Sequence, residues 1–164
     1  MNNTDPYEDF DHTSPLNTDL AVWQGVQNWR IVLEIDAPPP NIIGLDVKWP
    51  CAIGRSDRYT RTHLDIDMLP FDGEAHGVSR RHAALLPHET GLIIMDIGST
   101  NGTWVNENRL TPGQQYPLAK GDHLEFGTLK AAVRSVSRLE ESHAAGYSTI
   151  VTRPPERPGN GPSQ

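Results

Sequence analysis

The 164-residue sequence predicts an all-β domain of the sandwich or barrel type, and three observations carry that reading. About nine short apolar runs suit strands, turn-forming residues separate them about every 8–12 positions, and no stretch shows a sustained helical stripe.

The first run, Trp29-Arg30-Ile31-Val32-Leu33-Glu34-Ile35, is rich in β-branched residues and stops at Pro38-Pro39-Pro40. Ile43 to Val47 alternates after its first step. Shorter pieces follow at Cys51–Ile53, Leu64–Met68, Ala83–Leu86, Leu92–Asp96, Thr103–Val105, His123–Phe126 and Leu129–Val136. Gly54, Pro70, Gly73, Gly77, Pro87, Gly91, Gly98, Gly102, Pro112, Gly113, Gly121 and Gly127 divide nearly all of them. Loops at the ends of such strands are where a site is expected.

Both ends of the chain differ from this middle. Residues 1–28 hold Asp5, Glu8, Asp9, Asp11 and Asp19 with no Lys or Arg, so −5 of the total charge of −7 lies there. The far end runs Arg153-Pro154-Pro155-Glu156-Arg157-Pro158-Gly159, which suits neither helix nor central strand. The expected organisation is an acidic disordered tail over 1–28, an ordered domain over 29–137 and a Pro/Gly-rich disordered tail over 138–164. The overall composition, 36% apolar with 14 Gly and 14 Pro, agrees with a disordered fraction.

Several function classes are disfavoured. No run approaches the ~18 apolar residues of a membrane span, and the acidic start does not read as a signal peptide. The single Cys51 excludes an intrachain disulfide, and its apolar run suggests a buried packing residue. The seven histidines are scattered without zinc-ligand spacing, so no metal or other cofactor is expected. Residues 29–137 carry 11 Lys and Arg against 13 Asp and Glu, the wrong balance for a nucleic-acid face.

Three polar clusters fall in the breaker regions: Gly54-Arg55-Ser56, Val78-Ser79-Arg80-Arg81-His82, and Asp96-Ile97-Gly98-Ser99-Thr100-Asn101-Gly102-Thr103. Arg55 offers a planar fork of donors for phosphate or carboxylate, Ser79 and Thr100 offer small hydroxyls, and Asn101 can both donate and accept. Together they make the parts of an oxyanion pocket. Arg80 and Arg81 are adjacent, so on a strand only one could face it, and Arg81 reads as a surface or salt-bridging residue.

In order and spacing these clusters, with Val105-Asn106, Gly121-Asp122 and Phe126-Gly127, resemble the forkhead-associated (FHA) domain, a phosphothreonine-binding module. The resemblance covers about residues 29–136. One position departs from the pattern: Glu107 stands where a Gly usually follows Val-Asn. The resemblance implies an FHA-type β-sandwich of about eleven strands with its recognition loops at one end. Carried over by position, Arg55 would bind the phosphate, Ser79 would donate its hydroxyl to it and Arg80 would add a contact. Thr100 would close the pocket and Asn101 would bond the peptide main chain, while Gly54, His82 and Gly102 would support the site. The wording of Gly77 to Ala83 is similar to bacterial FHA proteins, implying a cytoplasmic signalling adaptor downstream of Ser/Thr kinases. Its partner would be a phosphothreonine-containing protein or the chain's own phosphorylated tail, where Thr4 and Thr18, each followed by Asp, are candidate sites.

Two other readings compete. An FHA-like scaffold could have lost phosphate recognition, and Ser79, His82 and Asp96 could be assembled into a serine hydrolase. No nucleophile elbow accompanies Ser79, so a non-enzymatic role is expected.

Overall fold

A computed structural model describes residues 25–59, 62–140 and 150–151. The expectations for the two tails, including Thr4 and Thr18, lie largely outside these residues.

Eleven strands run between Trp29 and Arg138. They are β1 (Trp29–Ile35), β2 (Asn41–Val47), β3 (Cys51–Gly54), β4 (Ile66–Asp67), β5 (Ala83–His88) and β6 (Gly91–Asp96), followed by β7 (Thr103–Val105), β8 (Asn108–Arg109), β9 (Gln115–Leu118), β10 (His123–Phe126) and β11 (Leu129–Arg138). A two-residue β12 (Ile150–Val151) pairs with Ile43 and Gly44 of β2. One sheet has the order β12-β2-β1-β11-β10-β7-β8 and the other β4-β3-β5-β6-β9. Among the described residues, only the β3–β4 pair is parallel. This is the expected β-sandwich, and each of the nine sequence runs contains a strand.

Alternation builds the core between the sheets. Ile31, Leu33 and Ile35 of β1 and Ile43, Leu45 and Val47 of β2 point inward from one sheet; Ile53, Leu85, Leu92 and Ile94 meet them from the other. All are buried. Cys51 lies in this core as well, its thiol donating to the Trp49 carbonyl at 3.3 Å. Burial pushes that thiol's pKa well up, so it is a packing group. In β11 the register against β1 slips between Val32 and Leu33, leaving Arg134 as the extra residue of a bulge.

The differences from the sequence reading have local causes. Pro87, read as a breaker, sits inside β5 opposite Leu92, beyond the residues that β3 pairs, so its missing N–H deprives no neighbour. Pro117 lies in β9, the edge of its sheet, where a proline is tolerated for the same reason. Of Leu64–Met68 only Ile66 and Asp67 are strand, and the chain then enters a short 3-10 turn at Leu69–Phe71. The β7–β8 connection holds Asn106 at φ 48° and Glu107 at φ 68°. Both are left-handed, which explains why a glycine suits position 107 and why a side chain there carries strain.

Candidate functional site

Three loops meet at one end of the sandwich: the segment after β3, the Gly77–His82 stretch before β5, and the Gly98–Gly102 stretch between β6 and β7. Together they border an open cleft of about 680 Å³ lined by Arg55, Glu74, Ser79, Arg80, Thr100 and Asn101, among others. All five residues expected to bind are therefore on one cleft.

Arg55 leaves β3 directly after Gly54, and the backbone there is tight. A Cβ on Gly54 would sit 2.1 Å from the Arg80 carbonyl oxygen, so no larger residue fits without moving the loop. The Arg55 N–H donates to the Ser79 carbonyl at 3.1 Å and its side-chain Nε donates to the Val78 carbonyl at 3.0 Å. Those bonds fix the guanidinium while its far end remains for another acceptor, and Nη1 lies 4.0 Å from Glu74 Oε1. Beside it, Asp67 accepts from the Ser56 and Leu69 N–H groups. Burial alone would raise the Asp67 pKa, but these bonds and the Arg55 charge hold it below the usual carboxylate range.

Ser79 has two polar functions at once. Its Oγ accepts the Thr100 N–H at 3.0 Å, joining two loops, and its backbone N–H donates to His82 Nδ1 at 3.0 Å. The Oγ hydrogen is not used by that first bond. Asn101 donates from Nδ2 to the Gly77 carbonyl at 2.9 Å, which orients the amide across the cleft wall.

Beneath the cleft lies a buried polar layer. Because His82 Nδ1 accepts, the ring carries its proton on Nε2, which donates to the Gly102 carbonyl at 2.9 Å. The ring is fully buried and meets Phe126 edge-on at 5.7 Å. Desolvation lowers its pKa, against smaller raising effects from Gly102 and Asp96. At the end of β6, Asp96 accepts from the Gly98 and Ser99 N–H groups, the Ser99 hydroxyl and the Thr103 hydroxyl. Burial raises the Asp96 pKa, yet these donors outweigh it and hold the carboxyl below the usual range. Gly102 closes the loop at φ +93°, and a Cβ on it would lie 2.7 Å from Arg109 Nε. Ser79, His82 and Asp96 are close together but not wired as a proton relay: both ring nitrogens of His82 are bonded to backbone groups, and the Asp96 oxygens to Ser99, Thr103 and the loop.

Residues 51–127 match the FHA domain family. The chain contains an FHA domain. FHA domains are phosphothreonine-binding modules of signalling proteins, and they bind rather than catalyse. Among curated proteins, a protein phosphatase 1 regulatory inhibitor subunit homologue of Arabidopsis thaliana is 39% identical over 98 residues, 59% of this chain and 24% of its own length. The rat E3 ubiquitin-protein ligase RNF8 is 45% identical over 51 residues, 30% of this chain and 10% of its own. The chain thus spans a quarter or less of these two relatives. Among solved structures, the FhaA FHA domain, determined with the intracellular domain of Rv3910, superposes with a TM-score of 0.50 at 29% identity, covering 63% of this chain and 99% of that one. Bacterial FHA domains are among the structural neighbours, as the wording of residues 77–83 implies.

The sequence missed three features of the cleft. Arg80 and Arg81 occupy a bend before β5 and not a strand, so alternation does not separate them and both line the cleft. Arg80 is exposed, with Nη1 at 3.5 Å from Asp57 Oδ2. Thr62 and Glu74 also line the cleft, and nothing in their sequence neighbourhood marks them. The remaining motif positions work as braces. Asn106 donates from Nδ2 to Asp122 at 2.9 Å and accepts the His123 N–H at 2.9 Å, and the Gly127 N–H donates to the Gly102 carbonyl at 3.0 Å.

Proposed function

We propose that this FHA domain binds phosphothreonine-containing segments of partner proteins, and that the chain serves as a cytoplasmic signalling adaptor downstream of Ser/Thr kinases with no catalytic step of its own. The observation that carries this reading is the convergence of Arg55, Ser79, Arg80, Thr100 and Asn101 on one open cleft over a buried, fully bonded support. In it, the free end of the Arg55 guanidinium takes two phosphate oxygens, the Ser79 hydroxyl donates to a third and Arg80 adds charge. Thr100 borders the phosphate, and the Asn101 amide reads the peptide main chain. That a structural neighbour was solved with another protein's intracellular domain supports a protein ligand.

The ligand can also be the chain's own Thr4 or Thr18 once phosphorylated, since a tethered segment reaches effective concentrations of about a millimolar. The direct test is titration calorimetry with a phosphothreonine peptide chosen from an oriented library, before and after phosphatase treatment. Binding should vanish with the phosphate. Equal binding of the dephosphorylated peptide would favour a scaffold that recognises partners through its sheet faces.

A further inference from the structure

Among the described residues that line the cleft are three arginines, Arg55, Arg80 and Arg81, and one carboxylate, Glu74. Two of the arginines already face an acid of their own chain. The outer end of Arg55 lies 4.0 Å from Glu74 Oε1, and Arg80 Nη1 lies 3.5 Å from Asp57 Oδ2. Arg81 is the third cation of the cleft, half-buried, and the phosphate contacts proposed above do not use it. Its backbone is anchored on both sides. The Arg80 carbonyl packs so closely on Gly54 that a Cβ there would meet its oxygen at 2.1 Å, and the His82 N–H donates to the Ile53 carbonyl at 2.9 Å. The His82 ring is tied in turn to the Ser79 N–H and the Gly102 carbonyl. A side chain rooted between two such anchors has only its own arm to order when a ligand arrives.

We propose that Arg81 determines specificity by selecting an anionic side chain, a carboxylate or a second phosphate, within about three residues of the bound phosphothreonine. This rests on the phosphothreonine reading of the cleft. Arg81 follows Ser79 by two residues, so their Cα atoms are at most about 7 Å apart, two steps of an extended chain. A segment whose phosphate sits at Ser79 therefore brings its neighbouring residues within reach of the Arg81 arm. The planar guanidinium meets either oxyanion with parallel N–H donors, as a point charge does not. A Lys or Arg in the same place on the ligand is repelled, so the residue selects against basic segments as well as for acidic ones.

The test is titration calorimetry on the full chain with phosphothreonine peptides whose flanking positions are alanine except one, which carries Asp, phosphoserine or Lys and is moved along both flanks. At one position Asp should bind about fivefold tighter than Ala or more, and Lys weaker than Ala. The ratio of the Asp to the Ala peptide is then measured in variants of position 81. Arg81→Ala should bring it to about one, Arg81→Lys should keep part of it, and Arg81→Glu should turn the preference toward Lys. Both peptides meet the same sample, so any loss of folded protein cancels in the ratio. Phosphoserine above Asp at that position identifies a doubly phosphorylated ligand, and equal binding identifies an acidic one. An acid preference at no position, or one that survives in Arg81→Ala, overturns the assignment and leaves the phosphothreonine reading standing. Failure of every phosphothreonine peptide to bind overturns both.

Discussion

The two polar layers at the loop end of the sandwich differ in every respect that governs stability. In the lower layer, His82, Asp96 and Thr103 are buried, and the described residues contain no buried side-chain nitrogen or oxygen without a partner. In the upper layer, Thr100 and Asn101 are exposed, and the outer end of Arg55 lies 4.0 Å from the carboxylate of Glu74, whose side chain is 77% exposed. Both layers are built from the same loops, so the difference teaches where each kind of change will register. A buried charge loses several donors at once when removed, and folding bears the cost. An exposed donor is still solvated in the free protein, so its loss registers only when a ligand arrives.

The largest stability effect is expected for Asp96→Ala, which strips acceptors from two N–H groups and two hydroxyls. Urea unfolding should show a loss of about 3 kcal/mol or more. A loss under about 1 kcal/mol would mean that water replaces the carboxylate and that the lower layer is not a fixed support.

Next comes His82→Ala, expected to cost about 2–3 kcal/mol and to weaken ligand binding only through the unfolded fraction. Binding abolished in a chain with unchanged melting would place His82 in the upper layer instead. The same residue gives a pH signature. His82 is buried neutral with a lowered pKa, so on acidification the unfolded chain takes up its proton first. Its contribution is therefore complete above about pH 6.5 and is lost as pH falls through the depressed folded value. Chemical denaturation between about pH 5 and 7 should show stability declining toward acid, with a shallower slope in a His82→Gln variant. Identical slopes would show that another group titrates.

The smallest effect belongs to Glu74→Gln. Its carboxylate, 4.0 Å from Arg55 Nη1, stands where an incoming dianion gains from Arg55 and is repelled by Glu74. Removing the charge should tighten phosphopeptide binding about threefold, less at high salt, and leave melting unchanged. Weaker binding would mean that Glu74 orients Arg55 or meets the peptide.

The strands were legible where a run was bounded by its own breakers, as at Trp29–Ile35 and His123–Phe126. Asn108–Arg109 and Gln115–Leu118 were not, because a two-residue strand has no period and Pro117 reads as a stop unless the edge position is known. The site residues were legible as a motif, since Arg55, Ser79 and Asn101 sit at spacings set by the loops. Glu74 and Thr62 were not, because their place on the cleft depends on how the loop between β4 and β5 folds back. Arg81 was misplaced by treating a bend as strand.

The contrast between the two layers rests most directly on Arg55. Titration calorimetry of Arg55→Ala with a phosphothreonine peptide, run beside a thermal melt of the same sample, separates binding from folding. The upper layer as described predicts a loss of about 2–4 kcal/mol in binding, little rescue by Arg55→Lys, and a melting temperature close to that of the unsubstituted chain. Binding within about threefold of the unsubstituted chain, or a loss explained entirely by unfolding, would contradict it.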